Sequence, residues 1–299
     1  MLGVPPTPVV AIAAGPAANA TPFVPPPDSA IPAGKFGDVV RLGEQIFRDP
    51  ATYAPEFVGN QLRCSNCHLQ AGRQAGASPM WAAWVAYPAY RSKNGRVNSF
   101  EERLAECFLY SMNGKEPKLG DPALVALESY SYFLAKGLPT GENAPGRGFP
   151  ALPNPPHPAD YARGAQIYAQ SCAACHGAAG LGQSSGGKVA FPPLWGPQSY
   201  NWGAGMASIK NAAEFIRANM PLGLGGSLSI QQAWDVGTYI DSQIRPQDPR
   251  FTGDVEQTRA KFHDTLFSMY GRMVNGVVLG DPLSTPPAGT VPVTATVAK

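Results

Sequence analysis

Cys64-Ser65-Asn66-Cys67-His68 and Cys172-Ala173-Ala174-Cys175-His176 are two copies of one arrangement, and their reading decides the fold. Two nearby thiols followed directly by an imidazole form the attachment signature of a c-type haem: the thiols become thioethers and the histidine takes the iron. A single such run is shared by thioredoxin-like dithiols and by parts of zinc sites. Two runs, each preceded by a similar helix and neither set in a βαβ pattern, favour haem. Cys64, Cys67, Cys172 and Cys175 are therefore read as the attachment points of two covalently bound haem c groups, with His68 and His176 as proximal iron ligands.

The sequence on either side of each run repeats as well. Upstream, Gly43-Glu44-Gln45-Ile46-Phe47 and Gly164-Ala165-Gln166-Ile167-Tyr168 each end a similar pattern on an aromatic. The first predicted helix stops near Asp49-Pro50, where proline opposes continuation. Downstream, Leu104, Phe108 and Leu109 predict a helix over Phe100 to Tyr110. A closing helix begins after Asp121-Pro122, a good cap and a good first-turn residue, and carries Leu124, Leu127, Tyr130 and Leu134. The second unit closes likewise from about Leu228 to Ile244, with Trp234, Val236, Tyr239 and Ile240.

The expected fold is all-α: two class I cytochrome c-like domains, 36–137 and 159–250, joined by a Pro/Gly-rich linker over 138–158. Phe149 and Leu152 give that linker something to pack as an ordered strap. Phe262, Leu266, Phe267, Tyr270 and Met273 have helical spacing and predict a docking helix over 251–275, and the Pro-rich end reads as a tail. Residues 1 to 20 are apolar and small, and Ala18-Asn19-Ala20 has the form of a processing site. No basic stretch precedes it, so the segment reads either as an incomplete export signal or as a Pro-rich leader.

Composition narrows the function. Charged residues make up 15% of the chain, below the roughly 25% usual for soluble domains, so a large buried cofactor is expected to organise the interior. The formal charge of +2 gives no reason to expect a nucleic-acid partner. No stretch reaches the ~18 apolar residues of a membrane span. Haem attachment through cysteines fits a place outside the reducing cytosol, and a periplasmic location is expected.

Each haem needs a sixth ligand between its motif and the closing helix. In the second unit Met220, in Asn219-Met220-Pro221-Leu222, is the candidate and Met206 its competitor. In the first unit the corresponding place holds Cys107, the one cysteine outside the haem motifs, with Met112 as competitor. A buried inert thiol is the other reading of Cys107. A thiolate ligand would lower the haem potential and put a polarizable nucleophile at the redox centre. Arg91, Lys93, Arg96 and Arg103 gather near it in sequence, either as a solvated face or as a pocket for an anion, and Ser111 can add a donor.

Taken together, Cys107-Phe108-Leu109-Tyr110-Ser111-Met112-Asn113-Gly114-Lys115, both haem motifs and Asn219-Met220-Pro221-Leu222-Gly223 give a chain that resembles the dihaem thiosulfate dehydrogenases from about Gly37 to Pro246. The resemblance implies that Cys107 is the distal ligand of a catalytic haem and Met220 that of an electron-exit haem. It also implies oxidation of two thiosulfate ions to tetrathionate, reversible in some members, through a sulfur adduct on Cys107. Arg103 and Lys93 match basic positions of the family's substrate pocket, whereas Tyr110 stands where members often carry arginine. Asn219 stands where some relatives place a lysine that exchanges with the methionine, so Met220 is expected to stay bound in both redox states. The implied acceptor is a small soluble cytochrome c or a high-potential iron-sulfur protein. The competing functions are a non-catalytic dihaem electron carrier and a haem subunit of a sulfur-oxidising complex.

Overall fold

Gly43 and Gly164, which begin the repeated five-residue pattern, lie where pairs of helices cross. A Cβ on Gly43 would sit 2.0 Å from the Ala126 carbonyl oxygen and 2.8 Å from the Tyr130 Cβ. One on Gly164 would sit 2.1 Å from the Asp235 carbonyl oxygen and 2.7 Å from the Tyr239 Cβ. Only hydrogen fits at either place, so each glycine lets an opening helix pass against the backbone of a closing helix. The first pair is Lys35–Arg48 with Pro122–Leu134, and the second is Tyr161–Ser171 with Ile230–Asp241. The aromatic that ends each pattern packs beside the crossing: Phe47 lies 5.9 Å from Tyr130, and Tyr168 lies 5.4 Å from Tyr239, between ring centroids.

The computed structural model describes residues 21–283, except 142 and 187. The leader reading of residues 1 to 20 and the tail beyond residue 283 lie outside the described residues. The first group of helices is completed by Met80–Val85 and Phe100–Tyr110, and the second by Ile209–Asn219, which periodicity did not single out. Asp121 caps its helix by accepting from the Ala123 N–H, as expected. Ser99 and Glu102 form a reciprocal capping box at the start of Phe100–Tyr110.

Among the described residues, strands are confined to three two-stranded antiparallel hairpins: Ala89–Arg91 with Arg96–Asn98, Gln183–Ser185 with Lys188–Phe191, and Met273–Val274 with Val277–Val278. They modify the all-α expectation without adding a sheet layer. The linker is an ordered strap, as its aromatic content suggested. Phe149 meets Phe215 edge-on at 5.4 Å, and Gly146 and Gly148 accept backbone hydrogen bonds from Gly76 and Ser78.

Two features differ from the sequence expectation. The docking helix over 251–275 is helical only over Val255–Phe262. Beyond it the chain runs irregularly into the last hairpin, and its aromatics anchor singly: Phe267 on Trp234 and Tyr270 on Trp202. The apparent helical spacing reflected burial against different neighbours rather than one helix face. Secondly, the segment that includes Tyr200, Trp202, Ala204 and Ala207, expected in the second unit, packs into the same core as the first unit's Trp81, Leu104, Phe108 and Tyr130. Ile167, Tyr168, Trp195, Ile216, Val236 and Ile240 form a separate, smaller core.

Candidate functional site

His68 leaves its motif with its Nδ1 2.6 Å from the Ser78 carbonyl oxygen, so that nitrogen donates and Nε2 keeps its lone pair. Ser78 adopts a left-handed backbone (φ 49), a conformation that costs a non-glycine residue free energy and here aims the carbonyl at the imidazole. His176 repeats the arrangement, its Nδ1 2.9 Å from the Pro192 carbonyl oxygen. Burial lowers both histidines from their ordinary value and keeps them neutral, the form that binds a metal.

A cavity of about 430 Å³ opens beside His68. It is lined by Cys64, Cys67 and His68 and, from the helix Phe100–Tyr110 and its exit, by Arg103, Cys107, Ser111 and Met112. Phe47, Leu62, Leu104, Phe108 and Leu127 make the remaining lining largely apolar. A cavity lined by an imidazole, two neighbouring thiols and a further sulfur fits a haem bound through thioethers. Alternatives fit less well. Burial, with the Cys107 sulfur as second cause, pushes Cys64 up to about 12 and Cys67 up to about 11. Burial of this kind favours the neutral thiols over thiolates. Among the described residues no three His, Cys, Asp or Glu side chains converge as a metal site.

The second motif borders the smaller core, with Cys172 and Met220 both packed against it. Cys175 is exposed, and the ring of Phe191 lies 6.4 Å from that of His176. Met206, the competitor of Met220, instead lines the cavity of the first unit.

One helical turn brings Arg103 and Cys107 together, with a guanidinium nitrogen donating to Sγ at 3.0 Å. The Cys107 sulfur is the largest cause of the upward shift of Arg103, outweighing its burial. A permanent cation is thus held against the sulfur inside the cavity. Arg91 also lines the cavity and donates to the Tyr87 hydroxyl at 2.9 Å, and Ser111 stands at the helix exit. Lys93 is not part of this lining. Its ammonium lies over the Tyr110 ring, 3.4 Å from the centroid, and donates to the Gly203 carbonyl. Arg96 is spent on the surface in an ion pair with Glu102 at 2.5 Å.

Other residues that position Cys107 carry no local sequence signal. Asn60 donates to the carbonyls of Ser111 (2.8 Å) and Ser199 (3.1 Å), and Asn201 donates to the carbonyl of Leu109 (2.9 Å). The Ser111 and Leu109 carbonyls belong to the exit and last turn of the Cys107 helix, which lack onward intrahelical donors, so two distant asparagines close that end. Their partners lie far away in sequence, and nothing in the neighbourhood of either asparagine announces the pairing.

Comparison with known proteins gives two family matches. Residues 52–140 match the family described as "SoxA/TsdA, cytochrome c domain", and residues 159–240 match "Cytochrome C oxidase, cbb3-type, subunit III". The thiosulfate dehydrogenase of Thiomonas intermedia (strain K12) is 60% identical over 259 residues, covering 87% of this chain and 82% of that protein. That of Stutzerimonas stutzeri (strain A1501) is 50% identical, covering 89% and 88%. The solved thiosulfate dehydrogenase (TsdBA) of Marichromatium purpuratum, in its "as isolated" form, superposes with a TM-score of 0.84 at 52% identity. The match covers 87% of this chain and spans 57% of that longer one.

Proposed function

The chain belongs to the thiosulfate dehydrogenases, and from that premise we propose how its residues divide the work. The activity is oxidation of two thiosulfate ions to tetrathionate, on two covalently attached haem c groups, with electrons passed to an external acceptor. Each haem, when bound, supplies a one-electron redox centre.

The first cavity is the catalytic one; Cys64, Cys67 and His68 would hold its haem, and Cys107 would offer its sulfur to that haem and act as the nucleophile. In forming a bond between Cys107 Sγ and the sulfane sulfur of one thiosulfate, thiolate and ion together lose two electrons, which the two haems, when bound, would take one each and pass to the external acceptor. A second thiosulfate then attacks that sulfane sulfur, forms the central bond of tetrathionate and displaces the Cys107 thiolate unchanged. Arg103 steadies the thiolate and, with Arg91 and Ser111, gathers the anions, whose mutual repulsion is the main obstacle to bringing two together. Lys93 stands behind Tyr110, outside the cavity lining, and does not touch substrate.

His176 and Met220 would hold the electron-exit haem. Asn219 has no amine to offer in exchange, so the methionine would be kept in both redox states. The exposed apolar Leu181, Leu222 and Leu224 suit docking of a small soluble cytochrome c or high-potential iron-sulfur protein. No helix among the described residues is long and apolar enough to cross a membrane, and we place the protein in the periplasm.

The observation that carries this reading is the Cys107 sulfur inside the haem cavity with the Arg103 guanidinium 3.0 Å away. Cys107→Gly should retain both haems, lose the thiolate-ligated low-spin signal and nearly abolish thiosulfate oxidation. Cys107→Met should restore a low-spin spectrum without turnover. Near-normal turnover in either folded, doubly haemylated variant rules out the thiol mechanism, and an unchanged ligand spectrum moves the assignment to Met112.

A further inference from the structure

Asn219, the last residue of the helix Ile209–Asn219, is buried at 4% exposure and makes three hydrogen bonds. Its Nδ2 donates to the Phe215 carbonyl at 3.1 Å, within its own helix, and to the Gly76 carbonyl at 3.0 Å. Its Oδ1 accepts from Gln74 Nε2 at 2.8 Å. Gln74 and Gly76 belong to the loop after the first haem motif. Two residues beyond Gly76, the Ser78 carbonyl of the same loop orients His68. On the other side, Met220 is the next residue in the chain. Leu69 and Ala77 of the first unit, together with Phe215, make one apolar cluster against which Met220 packs. The side chain thus joins the segment bearing the proposed axial ligand of one haem to the loop that orients the axial ligand of the other.

A carboxamide suits this place for a specific reason. The Gly76 carbonyl needs a donor and the Gln74 amide an acceptor, while the Phe215 carbonyl gains a second donor beside its helical one, and only a side chain with both functions serves all three. Aspartate would leave the Gly76 carbonyl without this donor and bury a charge. Alanine would leave both the Gly76 carbonyl and the Gln74 amide without these partners.

We propose that Asn219 is a positioning residue that fixes Met220 against the first unit, so that sulfur ligation of the second haem depends on a hydrogen-bonded bridge to the loop orienting His68. The inference rests on the assignment of Met220 as that haem's distal ligand. The bridge holds the start of the Met220 loop, which turns outward at exposed Leu222 and Leu224, at a set distance from the cluster between the units. Without it, the methionine gains freedom to leave iron, and the second haem loses the ligand that sets its potential.

The test uses the purified dihaem protein and three variants: Asn219→Ala, Gln74→Ala and, as reference, Met220→Gly. Readouts are the long-wavelength Met–iron charge-transfer band, the midpoint potential of the second haem and the low-spin signal of the first. Asn219→Ala is expected to shift the balance between Met-bound and Met-free second haem about tenfold, the effect of losing a buried hydrogen bond. The band should weaken, the potential should move toward that of Met220→Gly, and the first haem's signal should stay as in the parent. Gln74→Ala, altering only the partner in the first unit, should move the same readouts in the same direction by less, and it serves if Asn219→Ala does not fold. A structural role alone would lower the melting temperature and leave band and potential intact in the folded protein, and that result overturns the proposal. If Met220→Gly itself keeps the parent's band, the ligand assignment fails, and the inference fails with it.

Discussion

Lys93 and Arg103 sit on the same basic stretch of sequence, yet the fold gives them opposite settings. Arg103 is held against a sulfur that favours its charge, whereas burial, with Arg250 and Arg103 nearby, lowers Lys93 to about 7. The folded protein therefore releases the Lys93 proton near neutrality, while the unfolded chain keeps it to about 10.5. Between those values the unfolded state binds more protons, so this group makes stability rise with pH across the window. Urea unfolding of Lys93→Met on either side of about 7 should show that contribution to the slope removed, and an unaltered slope would count against a native ammonium of lowered pKa. The two residues should also separate in turnover. Arg103→Gln removes the cation at the reacting sulfur and should cut thiosulfate oxidation on the order of a hundredfold or more. Lys93→Gln, outside the cavity, should cost less than about tenfold, the penalty of a more distant charge.

The crossings at Gly43 and Gly164 are the elements on which each haem site is hung, because they set the distance between the helix before a motif and the helix that closes its unit. A methyl at either glycine would meet backbone oxygen, which cannot swing aside like a side-chain tip. Gly43→Ala and Gly164→Ala should each cost about 1 to 3 kcal/mol by overpacking, read as a lower melting temperature of the holoprotein. The loss should be accompanied by disturbance of the haem nearer to the altered crossing. Wild-type stability in both variants would show that the helices can part at little cost and would remove the crossing as the reason for the repeated pattern. The pattern itself was visible in the sequence as a likeness between Gly43–Phe47 and Gly164–Tyr168. That the shared glycine serves contact rather than flexibility was visible only once the partners, Ala126 and Asp235, lay against it.

At the scale of the whole molecule, the stretch after Arg250 closes the structure over both units. Tyr270 is fully buried edge-on against Trp202, His263 stacks on Tyr270 at 4.3 Å, and His263 Nε2 lies 2.9 Å from Asp248 Oδ2. Deleting residues 252–299 should cost about 3 kcal/mol or more, the scale of losing one large core aromatic, and lower the melting temperature with both haems retained. An unchanged melting temperature would show the segment to be dispensable. The opening and closing helices were determined by sequence alone, because each depends on neighbours within a few residues: helical period, a capping aspartate. The proposed attachment cysteines, the proposed proximal histidines and Cys107 were read from sequence for a similar reason: thiol spacing, and the one cysteine left when the motifs had claimed the others. Tertiary structure decided what depends on distant partners. It put Arg103 in the cavity and Lys93 behind Tyr110, gave Tyr200 and Trp202 to the first core, and closed the Cys107 helix with Asn60 and Asn201. It also joined Asn219 to Gln74 across the units. A polar side chain is directed by whichever buried donor or acceptor it must satisfy, and in these cases that group is brought near only by the packing of the whole chain.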